Sequence, residues 1–228
     1  MFGNLVNTGV IIVGSIIGIF FNGQIPEKYS QSIMKAIALG ILLIGILNAL
    51  EVQNMILVLL SMTIGTFLGE LIQIENKLEG LGDNIKKNLN TSNDSIAKSF
   101  VTASLLFCVG SMAIIGSLES GLNNNHETLL AKSVLDGISS IIFSSSIGVG
   151  VIFSAIPVFL YQGAIILSAS FLKPFLTELV IADMSAIGGL LIIGLGLNML
   201  GYKKIKVGNM LPAIFIPLIY DIFLNLIK

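Results

Sequence analysis

Apolar segments of about twenty residues follow one another along almost the whole 228-residue chain, divided by short polar breaks. A helix needs about that length to cross a hydrocarbon layer about 30 Å thick. Backbone groups in such a layer are satisfied only within helices or closed barrels. Charge content closes off the alternative: 54% of residues are hydrophobic and 11% charged, whereas water-soluble domains carry roughly 25% charged residues. A soluble globule and a disordered chain are both excluded. The sequence therefore reads as an all-α polytopic membrane protein, a single integral membrane domain over 1–228.

Helices are expected near 4–21, 33–50, 53–73, 99–118, 134–153, 155–173, 183–201 and 207–227, about eight transmembrane helices in all. The fifth is the weakest, because Ser139, Ser140, Ser144, Ser145 and Ser146 interrupt it. Lysine placement tests the count, since cytoplasmic loops collect positive charge. Eight spans put Lys28, Lys35, Lys77, Lys86, Lys87, Lys98, Lys203, Lys204 and Lys206 on one side and Lys132, Lys173 and Lys228 on the other. Dropping the fifth would move Lys203, Lys204 and Lys206 to the wrong face. Both termini are then expected outside, and the longest connection, 74–98, in the cytoplasm. Within it Ile74, Leu78, Leu81, Ile85 and Leu89 recur at helical spacing, the pattern of a short amphipathic helix along the membrane interface. A surface helix packed on neighbouring loops would show the same pattern.

A weaker signal is internal. Gly9-Val10-Ile11-Ile12-Val13-Gly14-Ser15 resembles Gly163-Ala164-Ile165-Ile166-Leu167-Ser168-Ala169. Met34, Ala36, Ile37, Leu47 and Asn48 match Met184, Ala186, Ile187, Leu197 and Asn198, and Glu70 then falls opposite Asp221. Helices 1–3 and 6–8 would form an inverted repeat around a central pair, as in many transporters. Chance similarity among apolar helices accounts for part of such matching.

Polar groups within spans are costly, about 2.5–3.5 kcal/mol for a charge at mid-helix, so the candidates are few. Asp221 has apolar residues on both sides. Glu70 lies near the inner end of the third helix, Asp136 opens the fifth and Glu119 closes the fourth. The last three also suit solvated helix ends, where an acid at an N-terminus satisfies the helix dipole. Asn4, Asn7, Asn48, Asn198 and Asn209 could coordinate a cation or bind a solute, or serve as glue between helices at around 0.6 kcal/mol each. Gln162 lies between Pro157 and Gly163, as in a broken helix whose freed backbone could face a ligand. A proline kink at the helix start would look the same. Pro212 and Pro217 raise the same question beside Asn209, and the serines of the fifth helix could line a wet path or bond their own backbone.

Other classes are excluded or weak. There is no Arg and the net charge is −1, so no nucleic-acid footprint is expected. Cys108 in Leu105-Leu106-Phe107-Cys108-Val109 reads as a buried, inert thiol. His126 beside Glu127 is too little for a metal site, and no GxxxxGK[ST] or HExxH motif occurs. No cofactor, metal or catalysis is expected. Gly14-Ser15-Ile16-Ile17-Gly18 and Gly65-Thr66-Phe67-Leu68-Gly69 have the spacing that lets helices approach closely, within the chain or between copies of a homo-oligomer.

Four runs carry a resemblance: Phe100-Val101-Thr102-Ala103-Ser104-Leu105-Leu106-Phe107-Cys108-Val109-Gly110, Lys132-Ser133-Val134-Leu135-Asp136-Gly137-Ile138, Tyr161-Gln162-Gly163 and Val207-Gly208-Asn209-Met210-Leu211-Pro212-Ala213. With Gly69-Glu70 and the glycine-rich first helix, they resemble the bacterial YdfK/YqgA-type membrane proteins, domain of unknown function 554, over nearly the whole chain. The resemblance implies a multi-pass protein of the bacterial cytoplasmic membrane and carries no assigned activity. It draws attention to Asp136, Gln162 and Asn209. The expected function is a secondary transporter or channel for an ion or small polar solute. Asp221 and Glu70 would hold a coupling cation or proton, and Asn48, Asn198, Gln162 and Asn209 would contact the solute. The alternative is a non-transporting scaffold or regulatory subunit that binds a partner protein or lipid through its helix faces.

Overall fold

The computed structural model describes residues 1–21, 27–77, 80, 95–202 and 205–227. Its helices are α1 (Phe2–Phe21), α2 (Glu27–Ala49), α3 (Met55–Ile72), α4 (Ser95–Cys108), α5 (Ser111–Leu122), α6 (Glu127–Ile147), α7 (Ala155–Leu167), α8 (Ala169–Leu172), α9 (Glu178–Met199) and α10 (Ile216–Ile227). Two 3₁₀ segments, Val149–Ser154 and Val207–Phe215, lead into α7 and α10. No strand occurs among the described residues. Among the described residues, six continuous helical stretches are long and apolar enough to cross a membrane, or seven if α4 and α5 form one bent span. The apolar part of α2, Met34–Ala49, is shorter. Large apolar side chains such as Phe20, Ile56 and Leu167 stand exposed along these helices, as contact with lipid rather than water requires. Most of the segment expected to form an interfacial helix, Leu78 and Leu81 to Leu89, lies outside the described residues.

Three expected helices differ in form. The fourth, expected as continuous over 99–118, breaks between α4 and α5 with a bend of 58°. Gly110 in the break has φ +125°, which a residue with a Cβ rarely adopts. The fifth starts at Glu127 rather than 134. An acid in its first turn favours that start, and Asn125 Oδ1 accepts a hydrogen bond from Glu127 N at 3.1 Å. Asp136 therefore sits in mid-helix and does not open it, and Lys132 is a helix residue rather than a loop lysine. The eighth begins as a 3₁₀ segment around Pro212, whose ring and missing N–H prevent regular α-helical bonding. Pro157 and Pro217 fall in the first turns of α7 and α10, where proline is tolerated.

The chain divides into two compact units. Unit one comprises Met1–Ala36, Lys77–Cys108 and Met112–Ser170. Within it α1 and α6 run parallel at very close range. Gly3 lies against Leu129, Gly14 against Gly137 and Ser140, and Gly18 against Ile141 and Ser144, while Val10 covers Gly137. Gly121 of α5 meets Ile166 of α7, and Gly150 of the first 3₁₀ segment meets Ile96 and Ser99 of α4.

Unit two comprises Ile37–Asn76, Val109–Ser111 and Phe171–Lys228. Here α9 lies antiparallel to α2, with Gly189 against Gly45 and Ala49, and Gly196 against Ala38 and Leu42. The segment Val207–Phe215 lies antiparallel to α3, with Ala213 on Gly65 and Asn209 on Gly69. Both small-residue motifs are thus occupied within the chain.

A Cβ at Gly69 would overlap the backbone of Asn209, whereas one at Gly9 would meet nothing within 4 Å. Gly69→Ala is expected to cost about 1–3 kcal/mol through overpacking. Gly9→Ala is expected to be neutral or to stabilise by up to about 1 kcal/mol through helix propensity. Thermal unfolding of the two variants in detergent checks the difference.

Candidate functional site

The close approach of α1 to α6 creates the principal polar site. Buried residues of α6 recur as Leu129, Lys132, Ser133, Asp136, Gly137, Ser140, Phe143 and Ser144, a single helical face. Glycines on both helices bring their backbones together, so a short amide on α1 reaches an acid on α6. Asn7 Nδ2 donates to Asp136 Oδ2 at 3.0 Å. On the other side Lys132 Nζ, one turn earlier on α6, donates to Asp136 Oδ1 at 2.8 Å and Oδ2 at 2.6 Å. The side chains of Lys132 and Asp136 are only 7% and 8% exposed, and Asn7 is fully buried. Its Oδ1 has no partner among the described residues. Cys108, a half-buried free thiol, lies within electrostatic reach of both Lys132 and Asp136.

The serines of α6 bond chiefly backward. Ser133 donates to Leu129 O, Ser140 to Gly137 O and Ser145 to Ile142 O. On the same unit Asn4 Nδ2 donates to Phe159 O of α7 at 3.0 Å, a helix-to-helix bond. Gln162, one turn beyond Phe159, is fully buried, and neither its Nε2 nor its Oε1 has a partner among the described residues. Near the start of α6, Ser120 Oγ lies 2.8 Å from His126 Nδ1, and Thr128 Oγ1 donates to Glu119 Oε2 at 2.6 Å. Those two acid and imidazole groups are therefore engaged locally.

In unit two the expected candidates occupy separate positions. Glu70 pairs with Lys206 at 3.3 Å, both about half exposed. Asn209 Oδ1 accepts from Glu75 N at 2.7 Å while Glu75 Oε2 accepts from Gly208 N at 2.7 Å. This reciprocal clamp joins the chain beyond α3 to the second 3₁₀ segment. Both amide atoms of Asn198 bond the backbone of Ile205 and close the turn after α9. Asn48 lies at the end of α2 near Gly110, away from the Asn198 contact. Asp221 Oδ2 accepts from Asn225 Nδ2 at 2.9 Å on their own helix.

Two functional-grade groups escape a reading of the sequence alone. Lys132 counts as a loop lysine until α6 is extended backward, although its i,i+4 spacing from Asp136 is the mark of a helical ion pair. Asp183, in Ile181-Ala182-Asp183-Met184, is 3% exposed. Its Oδ1 accepts from Gln53 N at 2.8 Å and Asn54 N at 2.9 Å, satisfying the amides that lead into α3.

A buried ion pair costs desolvation on both partners, so removing one charge harms more than removing both. Lys132→Met is expected to lose about 3–5 kcal/mol, and Lys132→Met with Asp136→Leu to regain most of it. Unfolding of the single and double variants in detergent checks the order.

Residues 2–222 match the family described as protein of unknown function (DUF554). The chain is 36% identical to the "Uncharacterized membrane protein YdfK" of Bacillus subtilis (strain 168), over 95% of this chain and 94% of that protein. It is 29% identical to the "Uncharacterized protein YqgA" of Escherichia coli (strain K12), over 94% and 93%. No solved structure matches the chain significantly. A match over nearly all residues, together with apolar helices of spanning length, identifies the chain as a helical membrane protein that belongs to the DUF554 family.

Proposed function

We propose that this protein is a secondary transporter or channel that moves an ion or small polar solute across the bacterial cytoplasmic membrane. The observation that carries this reading is Gln162, a fully buried amide in a spanning helix with neither polar atom bonded among the described residues. Leaving a buried polar group unpaired costs about 1–3 kcal/mol. Retaining such a group is reasonable where a ligand or a wet path completes it during the work cycle. The second support is irregular backbone within stretches of spanning length. The break at Gly110 and the two 3₁₀ segments are features tolerated where they line a cavity or are buried in protein.

The eight-span arrangement belongs to this reading. Because α1 and α6 run parallel, an odd number of crossings separates them. With α3 one of these, α2 and the α4–α5 pair cross together or not at all. Their apolar character favours both crossing, for eight spans with both termini outside. With Lys132 inside α6, nine lysines fall on the cytoplasmic side against Lys173 and Lys228 outside. The inverted repeat gains support from the contacts of the matched helices: α1 with α7 through Asn4, α2 with α9 through Gly45, and α3 with Val207–Phe215 through Gly65.

Two measurements test the proposal. Gln162→Met is expected to raise the unfolding temperature of the ligand-free protein, because it removes an unpaired amide at similar volume. The same change abolishes stabilisation by whichever ion or polar metabolite shifts the wild type, a shift worth about 2.7 kcal/mol at a hundredfold excess over Kd. Destabilisation by Gln162→Met, with no ligand shift in the wild type, would remove the support. For topology, in a Cys108→Ser background, Asn124→Cys is expected to react with an impermeant maleimide on intact cells and Lys77→Cys is not.

A further inference from the structure

We propose that Asp136 is an exchangeable binding site for an alkali metal cation, and that the ammonium of Lys132 occupies that site in this structure. The inference rests on the transport reading and assigns its coupling ion to α1 and α6, not to Glu70 or Asp221. Glu70 and Lys206 are about half exposed, so either charge can exchange with solvent without any transport step. Asp221 is engaged by Asn225 on its own helix. The Lys132–Asp136 pair, by contrast, lies inside a helix of spanning length.

Three features of the pair point to exchange. First, Lys132 Nζ bonds both carboxylate oxygens, at 2.8 and 2.6 Å, so one compact monovalent positive charge already fills the position a metal cation would take. The buried carboxylate requires one compensating charge, and a sodium ion supplies the same charge as the ammonium. Second, Asn7 Nδ2 is bonded to Asp136 Oδ2, while its Oδ1, fully buried, has no partner among the described residues. Lys132 leaves this oxygen unbonded, although an ammonium has three N–H groups to donate. A hard cation is held by oxygen ligands, and turning the Asn7 amide over would offer it this one. Third, Lys132 is tethered on the same helix by a flexible four-carbon stem. It can give up its proton to water and leave Asp136 when a cation arrives, and take a proton and return when the cation departs, so one positive charge faces the acid in either state. Among the described residues, Asn7 of α1 bonds the pair from a neighbouring helix, and the Cys108 thiol of α4 lies in its neighbourhood.

The experiment is thermal unfolding of the purified full-length protein in detergent, with sodium, lithium or potassium chloride against choline chloride at equal ionic strength and at several pH values. Wild type is expected to be stabilised by sodium or lithium over choline. Lys132→Gln removes the internal competitor. If the ammonium holds the site in nine molecules of ten, this variant responds at about tenfold lower salt, and the added cation restores the stability lost with the lysine. Lys132→Gln with Asp136→Asn is expected to show no response. Should Lys132→Gln not fold, Asn7→Leu tests the site in the presence of the native pair: its response is expected to be weaker than that of wild type.

Equal stability in all four salts for wild type and Lys132→Gln overturns the proposal. A dependence on pH that is the same in sodium and choline also overturns it, in favour of a proton. A solute shift that is lost in Gln162→Met, with no cation response, would overturn the cation site alone. A cation response without any solute shift would keep the site and remove the solute from the transport reading.

Discussion

The contact of α1 with α6 sets most of what is distinctive in this protein. Two helices whose surfaces carried ordinary side chains would stand 8–10 Å apart, with those side chains filling the space between the short amide of Asn7 and an acid on its neighbour. Gly14, Gly18 and Gly137 remove the spacers, and the helices meet backbone to side-chain stub. Lipid offers little hydrophobic drive for helix association, so close van der Waals contact and interhelical hydrogen bonds must supply it. The same contact dehydrates Lys132 and Asp136, making each dependent on the other. Packing, electrostatics and the candidate site are therefore one feature seen at three levels.

The helical, membrane-spanning character of the chain is legible because apolar run length is a direct physical requirement of the bilayer. The start of α6 is not. Residues 127–133 include Glu127, Thr128, Lys132 and Ser133, which depress hydropathy and look like loop. The helix survives there because those side chains are satisfied: Thr128 by Glu119, Ser133 by its own turn, and Lys132 by Asp136. Hydropathy measures transfer of isolated side chains and is blind to such pairing. In the sequence Asp136 stands at the expected start of this helix, and its partner Lys132 falls just outside that boundary.

Gln162 and Asn7 were legible as polar residues in apolar surroundings, yet sequence gave no means of telling an unpaired amide from a bonded one. Asn4, Asn198 and Asn209 look the same in one dimension and turn out to be engaged with the backbone of Phe159, Ile205 and Glu75. Asp183 was missed for a related reason. Its partners, the amides of Gln53 and Asn54, lie some 130 positions earlier, and no local pattern announces a side chain that caps a helix other than its own.

That cap has a mechanical meaning. A carboxylate that accepts two backbone amides at 2.8 and 2.9 Å tolerates little displacement before both bonds are lost. The start of α3 is thus latched to the flank of α9. Any rearrangement within unit two must carry this pair as a single bar, and the doubly bonded Asn198 closes the turn at Gly201 in the same way.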